Sequence, residues 1–315
     1  MPSIKSPETF HQDSQELIQK INNLITQAVK AEFDGRSNDH PLILVNAIKN
    51  IIGDDRDNPS SKLLDLSDNY INQFSCRENE NQIIDKVMID GYGLAVFVDD
   101  VEEAIIYGNK DNAELETAKQ LLASDKSPAI LECLAQFALH DIESLGLFTY
   151  HWLRSFNFHQ EKEILWSYSR AMINEIFKIH LQQQQIQTEI LKPQDYMIFF
   201  LNYENKGNIP TFSAMNRLWY ADYVRGESYR NSISTWLEKT KNAEKTEVAN
   251  SIDLENYINN GGRYFIDLSE QLFDTYQINV AAQKIVELEG LRGVAKNASP
   301  EYFPIIAQCI NFTVS

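Results

Sequence analysis

The sequence predicts an all-α protein folded as one helical bundle. Three observations carry this. Twelve Gly and nine Pro in 315 residues are few for an all-β chain of that length. Apolar residues recur at i, i+3 and i+4 along much of the chain. Helix-opening signals precede these stretches, and no linker rich in Pro, Gly and Ser divides them. At 43% hydrophobic the chain can bury a sizeable core.

Taken in order, residues 1–12 read as a frayed N-terminus and 13–315 as a single domain. Leu17, Ile21, Leu24, Ile25 and Val29 mark an amphipathic helix. A loop at 34–40 follows, and Pro41 opens the second helix at its first position. Residues 53–61 form another loop. From Ile83 to Tyr107 apolar residues fall on nearly every face, as in a helix buried within a bundle. Ser127-Pro128 predicts an N-cap and first turn, opening a long helix through Phe156. A second long helix runs from Glu161 to about Leu191 and stops before Pro193; Gln182 to Gln185 would lie on its exposed face. A third starts at Tyr196 to Leu201 and is interrupted at Lys206-Gly207-Asn208. Helical patterns return at 212–224, 228–247 and 264–289, with a break at Asn259 to Gly262.

Composition excludes several classes of function. With 28 basic and 45 acidic side chains, the net charge of −17 argues against nucleic acid or an anionic membrane as the main partner. Anionic substrates stay open, because a metal ion inverts the local sign. Cys76, Cys133 and Cys309 are far apart, which removes a disulfide framework and a Cys-rich zinc site. The first fifteen residues hold no apolar signal core, and no eighteen-residue apolar run suggests a membrane span. A reducing cytoplasm is the expected location. The chain contains no GxxxxGK[ST], GxSxG or HExxH motif, and Gly91-Tyr92-Gly93 lacks the third glycine of a dinucleotide fingerprint. A di-iron site would need two ExxH pairs, and only Glu8 and His11 fit. The six histidines show no zinc spacing, and His140 and His151 read as core or boundary residues.

The most informative segment is Phe97-Val98-Asp99-Asp100-Val101-Glu102-Glu103, at the end of the apolar 83–107 stretch. In a helix, Asp99 and Glu103 share a face with Asp100 beside them. Carboxylates crowded there repel one another unless a cation compensates. Mg²⁺ suits such a place, because it takes a few carboxylates and completes its octahedron with water and phosphate oxygens. A solvated acidic helix end, or a buried strand ending in an Asp pair at 93–100, accounts for the same residues. The DxDxT motif of a strand-Asp phosphatase is absent.

These residues resemble the first metal motif of class I terpene synthases, an aspartate-rich DDxxD or DDxxE on a buried helix. DDVEE at 99–103 matches the DDxxE form, and the stretch 104–122 resembles the family's continuation. Residues 166–210 resemble another family passage through Pro193, Tyr196, Gly207 and Pro210. The family's second motif, NDxxSxxxE, has its nearest counterpart at 231–239, 132 residues beyond Asp99. There Asn231 and Thr235 are in register, while Lys239 occupies the Glu position and Glu238 stands one residue early. One residue is ~100° of helix, so Glu238 would need a local distortion to reach a metal. An amphipathic helix with a polar face explains this segment equally well. Two further departures concern diphosphate binding. Lys206 stands near the expected diphosphate-sensing arginine, and the C-terminal Arg-Tyr pair has only Lys296 and Tyr302 as poor stand-ins. Arg217, Arg225 and Arg230 lie near the second motif, and Arg230 and Lys206 are the diphosphate-contact candidates.

The resemblance implies a single helical domain of the terpene synthase fold. It also implies Mg²⁺ held by Asp99, Asp100 and Glu103 and by Asn231, Thr235 and Glu238. The implied reaction is ionisation of a linear isoprenyl diphosphate, then cyclisation of the cation in an aromatic-lined cavity to a terpene hydrocarbon or alcohol. Tyr92, Phe97, Phe199, Phe200 and Tyr203 are candidate walls, although aromatics at helical spacing are more often core. Two other functions remain open. One is a chain-elongating or head-to-head isoprenyl diphosphate synthase, for which Asp222 and Glu227 are a poor second motif. The other is a non-catalytic helical protein that binds a lipid or a partner helix. A homodimer through exposed helix faces is compatible with either scaffold.

Overall fold

The computed structural model describes residues 7–179, 190–202, 208–239, 254 and 262–315. Every named element among them is helical, apart from one isolated antiparallel bridge between Ala31 and Cys76. No described helix is long and apolar enough to cross a membrane.

Helix α1 spans Pro7–Val29, so helical backbone begins inside the stretch expected to fray. Its buried side carries Ile21, Leu24, Ile25, Ala28 and Val29. Pro41 opens α2 (Pro41–Ile52) at the first helical position, as predicted. The cap before it is His40, whose Nδ1 accepts from the Leu42 amide at 3.2 Å. Ser60 caps α3 (Ser61–Ile71) through its hydroxyl, which accepts from the Leu63 amide at 3.1 Å.

The single buried helix expected over 83–107 is two helices, α4 (Gln82–Asp90) and α5 (Val98–Ile106). Gly91 and Gly93, at φ 81° and 86°, end α4 in a conformation that side chains with a Cβ resist. The apolar residues of this stretch are largely at the surface, so the all-round hydrophobicity marks no buried helix. The long helix expected from Ser127 to Phe156 is also divided. Helix α6 (Lys110–Ala123) is followed by α7 (Ala129–Ala138), a 3₁₀ turn at Leu139–Asp141, a wide π turn at Ile142–Gly146, and α8 (Leu147–His159). The Asp141 carboxylate accepts from the Ser144 amide at 3.1 Å, so the side chain competes with the backbone ladder there.

The long helix expected from Glu161 to Leu191 is shorter: α9 (Leu165–Ile176) is capped at Phe177 and residues 177–179 turn, while Gln182 to Gln185 lie outside the described residues. A short α10 (Met197–Leu201) follows the turn at Pro193. Then come α11 (Ile209–Trp219) and α12 (Gly226–Glu238). The stretch expected as one helix over 264–289 is α13 (Tyr264–Thr275) and α14 (Ile278–Ala295), which turn at Tyr276-Gln277. Helix α15 (Phe303–Val314) ends the chain.

Helix α14 is the centre, packed against α2, α3, α11, α13 and α15. Two glycines set its approach to α11. A Cβ at Gly290 would lie 2.9 Å from Pro210 Cα, and one at Gly293 would lie 2.6 Å from Ser213 Oγ. The close crossing buries an ion pair: Arg217 of α11 donates two hydrogen bonds to Glu289 of α14, at 2.6 and 2.9 Å. Asn50 of α2 donates to the same carboxylate at 2.9 Å, and Arg217 stacks over Tyr150 of α8 at 4.3 Å. Glu289 has to be desolvated in full, yet the Arg217 guanidinium holds its carboxyl well below the usual range. His151 of α8 is buried beside this pair and bonded through Nδ1 to Asn46 of α2 at 2.8 Å. Burial pushes its imidazole down to about 3.

Gly290→Ala should destabilise the fold by about 1–3 kcal/mol, because the added methyl meets backbone that cannot turn aside. Glu289→Ala should cost more, about 3–5 kcal/mol, by stranding a buried guanidinium. Urea-unfolding midpoints of the two variants check both.

A second expectation concerns pH. Burial lowers the pKa of His40, His140 and His151 below the ordinary 6.5. The unfolded chain therefore binds protons below pH 6.5 that the folded chain refuses, and stability falls as pH falls. The slope should appear between pH 6.5 and 5, at up to about 1.4 kcal/mol per pH unit for each histidine. His151→Gln should flatten it, read as the slope of unfolding free energy against pH.

Candidate functional site

Helix α5 exists because Phe97 enters it in extended conformation and Val101, Ala104 and Ile105 bury one stripe against α6 and α7. The acidic motif thus starts in the first turn of a helix, with Asp99 and Asp100, rather than at the end of an apolar one. Carboxylates there are stabilised by the positive end of the helix dipole, without any metal.

Helix geometry divides the motif between two environments. Asp100 and Glu103 line an open cleft of about 360 Å³ between α5 and α6, together with Tyr92, Tyr107, Asn112 and Glu116. Lys119 closes its far side, paired to Glu116 at 2.7 Å. Glu102 faces the other way, toward α7, and Asp99 is exposed between the two environments. Glu102 accepts from Arg225 at 3.2 Å and from the Cys133 thiol at 3.6 Å. Burial, opposed by Arg225 and reinforced by Glu102 and Asp99, pushes the Cys133 thiol up to about 12.

Arg225 links this motif to the second one. It precedes α12, and besides Glu102 it reaches Gln136 at 2.6 Å, while its amide donates to Glu132 at 2.8 Å. Tyr229 adds a bond to the Glu132 carbonyl at 3.0 Å. Asn231 lies six residues beyond Arg225, about 9 Å along the helix axis. Asn231 and Thr235 are half-buried, and Glu238 is exposed in the last turn. Seven residues separate Asn231 from Glu238, about 20° short of two full turns, so Glu238 returns to Asn231's face with no distortion of the helix. The Thr235 hydroxyl donates to the Asn231 carbonyl at 2.9 Å, a bond within its own helix.

The basic residues expected near a diphosphate have other work. Arg217 is committed to Glu289 in the core, and Arg230 donates to the Trp219 carbonyl at 3.3 Å. Lys296 is bound to Asp54 at 2.5 Å, and Lys206 lies outside the described residues. The candidate aromatic walls part company as well. Phe200 is fully buried and stacks on Phe212 at 4.5 Å and on Trp236 at 5.0 Å, whereas Tyr92 and Phe97 are exposed. Tyr203 lies outside the described residues. Among the described residues no group of three His, Cys, Asp or Glu side chains is placed to hold a metal ion.

Two polar constellations were not foreseen in the sequence. A cleft of about 370 Å³ lies where α2, α11 and α14 meet, lined by His40, Asp39, Tyr70, Thr211 and Gln283 among others. Lys49 of α2 sits beside the Phe158 ring, 5.0 Å from its centroid. Burial, reinforced by Arg154, pushes its ammonium down to about 7. Neither has a local motif, because each is assembled from residues far apart in the chain.

Compared with protein-family models, curated proteins and solved structures, the chain matches none.

Cys133 and Cys309 are buried while Cys76 is exposed. Titration of the folded protein with a thiol-reactive disulfide at pH 8 should therefore consume about one equivalent promptly and about three after denaturation. Prompt reaction of Cys133, located by peptide mapping, would show that the α5–α7 contact opens in solution.

Proposed function

We propose that the chain binds a divalent cation and the diphosphate of a linear isoprenyl substrate at the α5 cleft, and ionises that substrate on the way to a terpene. The observation that carries this reading is the pair Asp100 and Glu103 on one open cleft, beside a Glu116 already paired to Lys119. The donor set fits Mg²⁺, which needs only one or two carboxylates when phosphate oxygens and water fill its other positions. Bound there with the diphosphate, the cation would supply the charge that stabilises the leaving group. Asp100 and Glu103 hold it. Lys119, already on the cleft wall, adds a positive charge facing the same space. Tyr92 and Tyr107 offer aromatic faces at the mouth. Asp99 serves differently, within reach of the Cys133 and Arg225 junction that anchors the start of α12.

A second reading has its own support. Glu102 is neutralised by Arg225, Thr235 is bonded within its helix, and Lys239 stands where the second motif would carry a ligand. These favour a non-catalytic helical protein on a related scaffold. Another isoprenyl diphosphate synthase would share the cation requirement.

The protein should be incubated with geranyl, farnesyl and geranylgeranyl diphosphates, with and without Mg²⁺, and the products analysed by mass spectrometry. A Mg²⁺-dependent cyclic hydrocarbon or alcohol is expected, reduced at least about 100-fold by Asp100→Asn or Glu103→Gln with unchanged melting temperature. A longer linear diphosphate would assign an elongating synthase. Absence of any product, together with no Mg²⁺-dependent thermal stabilisation by diphosphate, would leave the non-catalytic reading.

A further inference from the structure

The strip from Met88 to Tyr107 exposes apolar surface, of which the proposed chemistry uses only Tyr92 and Tyr107. Of fourteen large apolar side chains exposed among the described residues, seven fall in these twenty positions: Met88, Ile89, Tyr92, Leu94, Phe97, Ile106 and Tyr107. Leu94 is fully exposed, and Ile89 and Tyr107 are 84% and 80% exposed. The remaining seven are scattered from Ile18 to Phe312, as on any soluble protein. Both α4 and α5 pack on α6, and Leu94 and Phe97 lie in the segment that joins them. A cluster of this size is costly to leave in water and marks a contact surface.

Its charge restricts the occupant. Residues 85–111 hold seven acids (Asp85, Asp90, Asp99, Asp100, Glu102, Glu103 and Asp111) against Lys86 and Lys110. Among the described residues, Glu102 is neutralised from elsewhere, by Arg225. An anionic lipid surface would be repelled. A second copy presenting the same face would set these acids against their equivalents, across a two-fold axis, on a chain already at −17. What complements the surface is a segment with large apolar side chains on one face and Lys or Arg beside them.

We propose that the α4–α5 face is a docking surface for a cationic amphipathic helix of a partner protein. Leu94 and Phe97 supply the apolar anchor points. Asp90 and Asp99, with the Asp100 and Glu103 carboxylates of the neighbouring cleft, form the acidic collar. The collar shares Asp100 and Glu103 with the metal reading, so a docked helix and a cation in the cleft would compete for them, and the metal-free probe tests docking by itself.

The probe is a labelled eighteen-residue Leu/Lys helix with all leucines on one face, titrated in metal-free buffer by fluorescence anisotropy. A scrambled peptide of the same composition controls for charge alone. The helix should bind at least about ten-fold tighter than the scrambled peptide and weaken as salt rises. The double variant L94S/F97S should lose about ten-fold in affinity, while I18S on α1 should stay within about two-fold. Both variants alter exposed side chains, and equal melting temperatures verify their folding. Hydrogen exchange with the helix bound should protect residues 88–107. Equal affinity for both peptides, or an affinity unchanged by L94S/F97S, would overturn the proposal. So would a native dimer that L94S/F97S dissolves, or phosphatidylcholine-vesicle binding that L94S/F97S abolishes, since either would assign the face to another occupant.

Discussion

The crossing of α11 and α14 is the constraint on which the rest of the bundle depends. It is close because Gly290 and Gly293 remove the Cβ atoms that would meet Pro210 and Ser213. Closeness brings Arg217 into bidentate contact with Glu289, and it leaves the Glu289 carboxylate without water. A buried pair of this kind contributes little net stability over an apolar pair of equal volume, yet it punishes any other alignment severely. The pair therefore acts on register: α2 must bring Asn50, and α8 must bring Tyr150, to the same place. Four helices are fixed at one point.

The α5 region works by a different logic. It packs on α6 through Val101, Ala104 and Ile105, the three of its nine residues that are buried. Its link to α12 comes from polar contacts at its rim, with Glu102, Gln136 and Glu132 gathered around Arg225. These bonds are partly exposed and individually weak, so the α5–α12 junction can adjust in a way that the α11–α14 crossing cannot.

Much of the architecture was readable because it is local. Few Gly and Pro, the helical period and the proline at position 41 each report on a handful of neighbouring residues. The errors share a cause too. From 83 to 107 the sequence is apolar on every face, and apolarity by itself does not distinguish a buried helix from an exposed strip; Gly91 and Gly93 marked the break, but the apolar run outweighed them. The division of the acidic motif depends on where α5 starts, and a shift of one residue turns each carboxylate by ~100°. The Arg217–Glu289 pair spans 72 positions and has no local signature at all. Glu238 is the opposite case: its face was computable from helix geometry alone, through its seven-residue distance from Asn231.

The change of winding between α7 and α8 also has a mechanical meaning. Before it, Glu132 and Gln136 point to the periphery at Arg225; after it, His151 and Trp152 point into the core, toward Asn46 and the Tyr168 carbonyl. An uninterrupted helix would set the angle between these faces at ~100° per residue, whereas the 3₁₀ and π turns reset it. The turns at 139–146 act as a phase shifter, a universal joint frozen at one setting. Losing a single residue there would swing α8 by ~100° about its axis. The periphery would keep its contacts, and the core would lose its own.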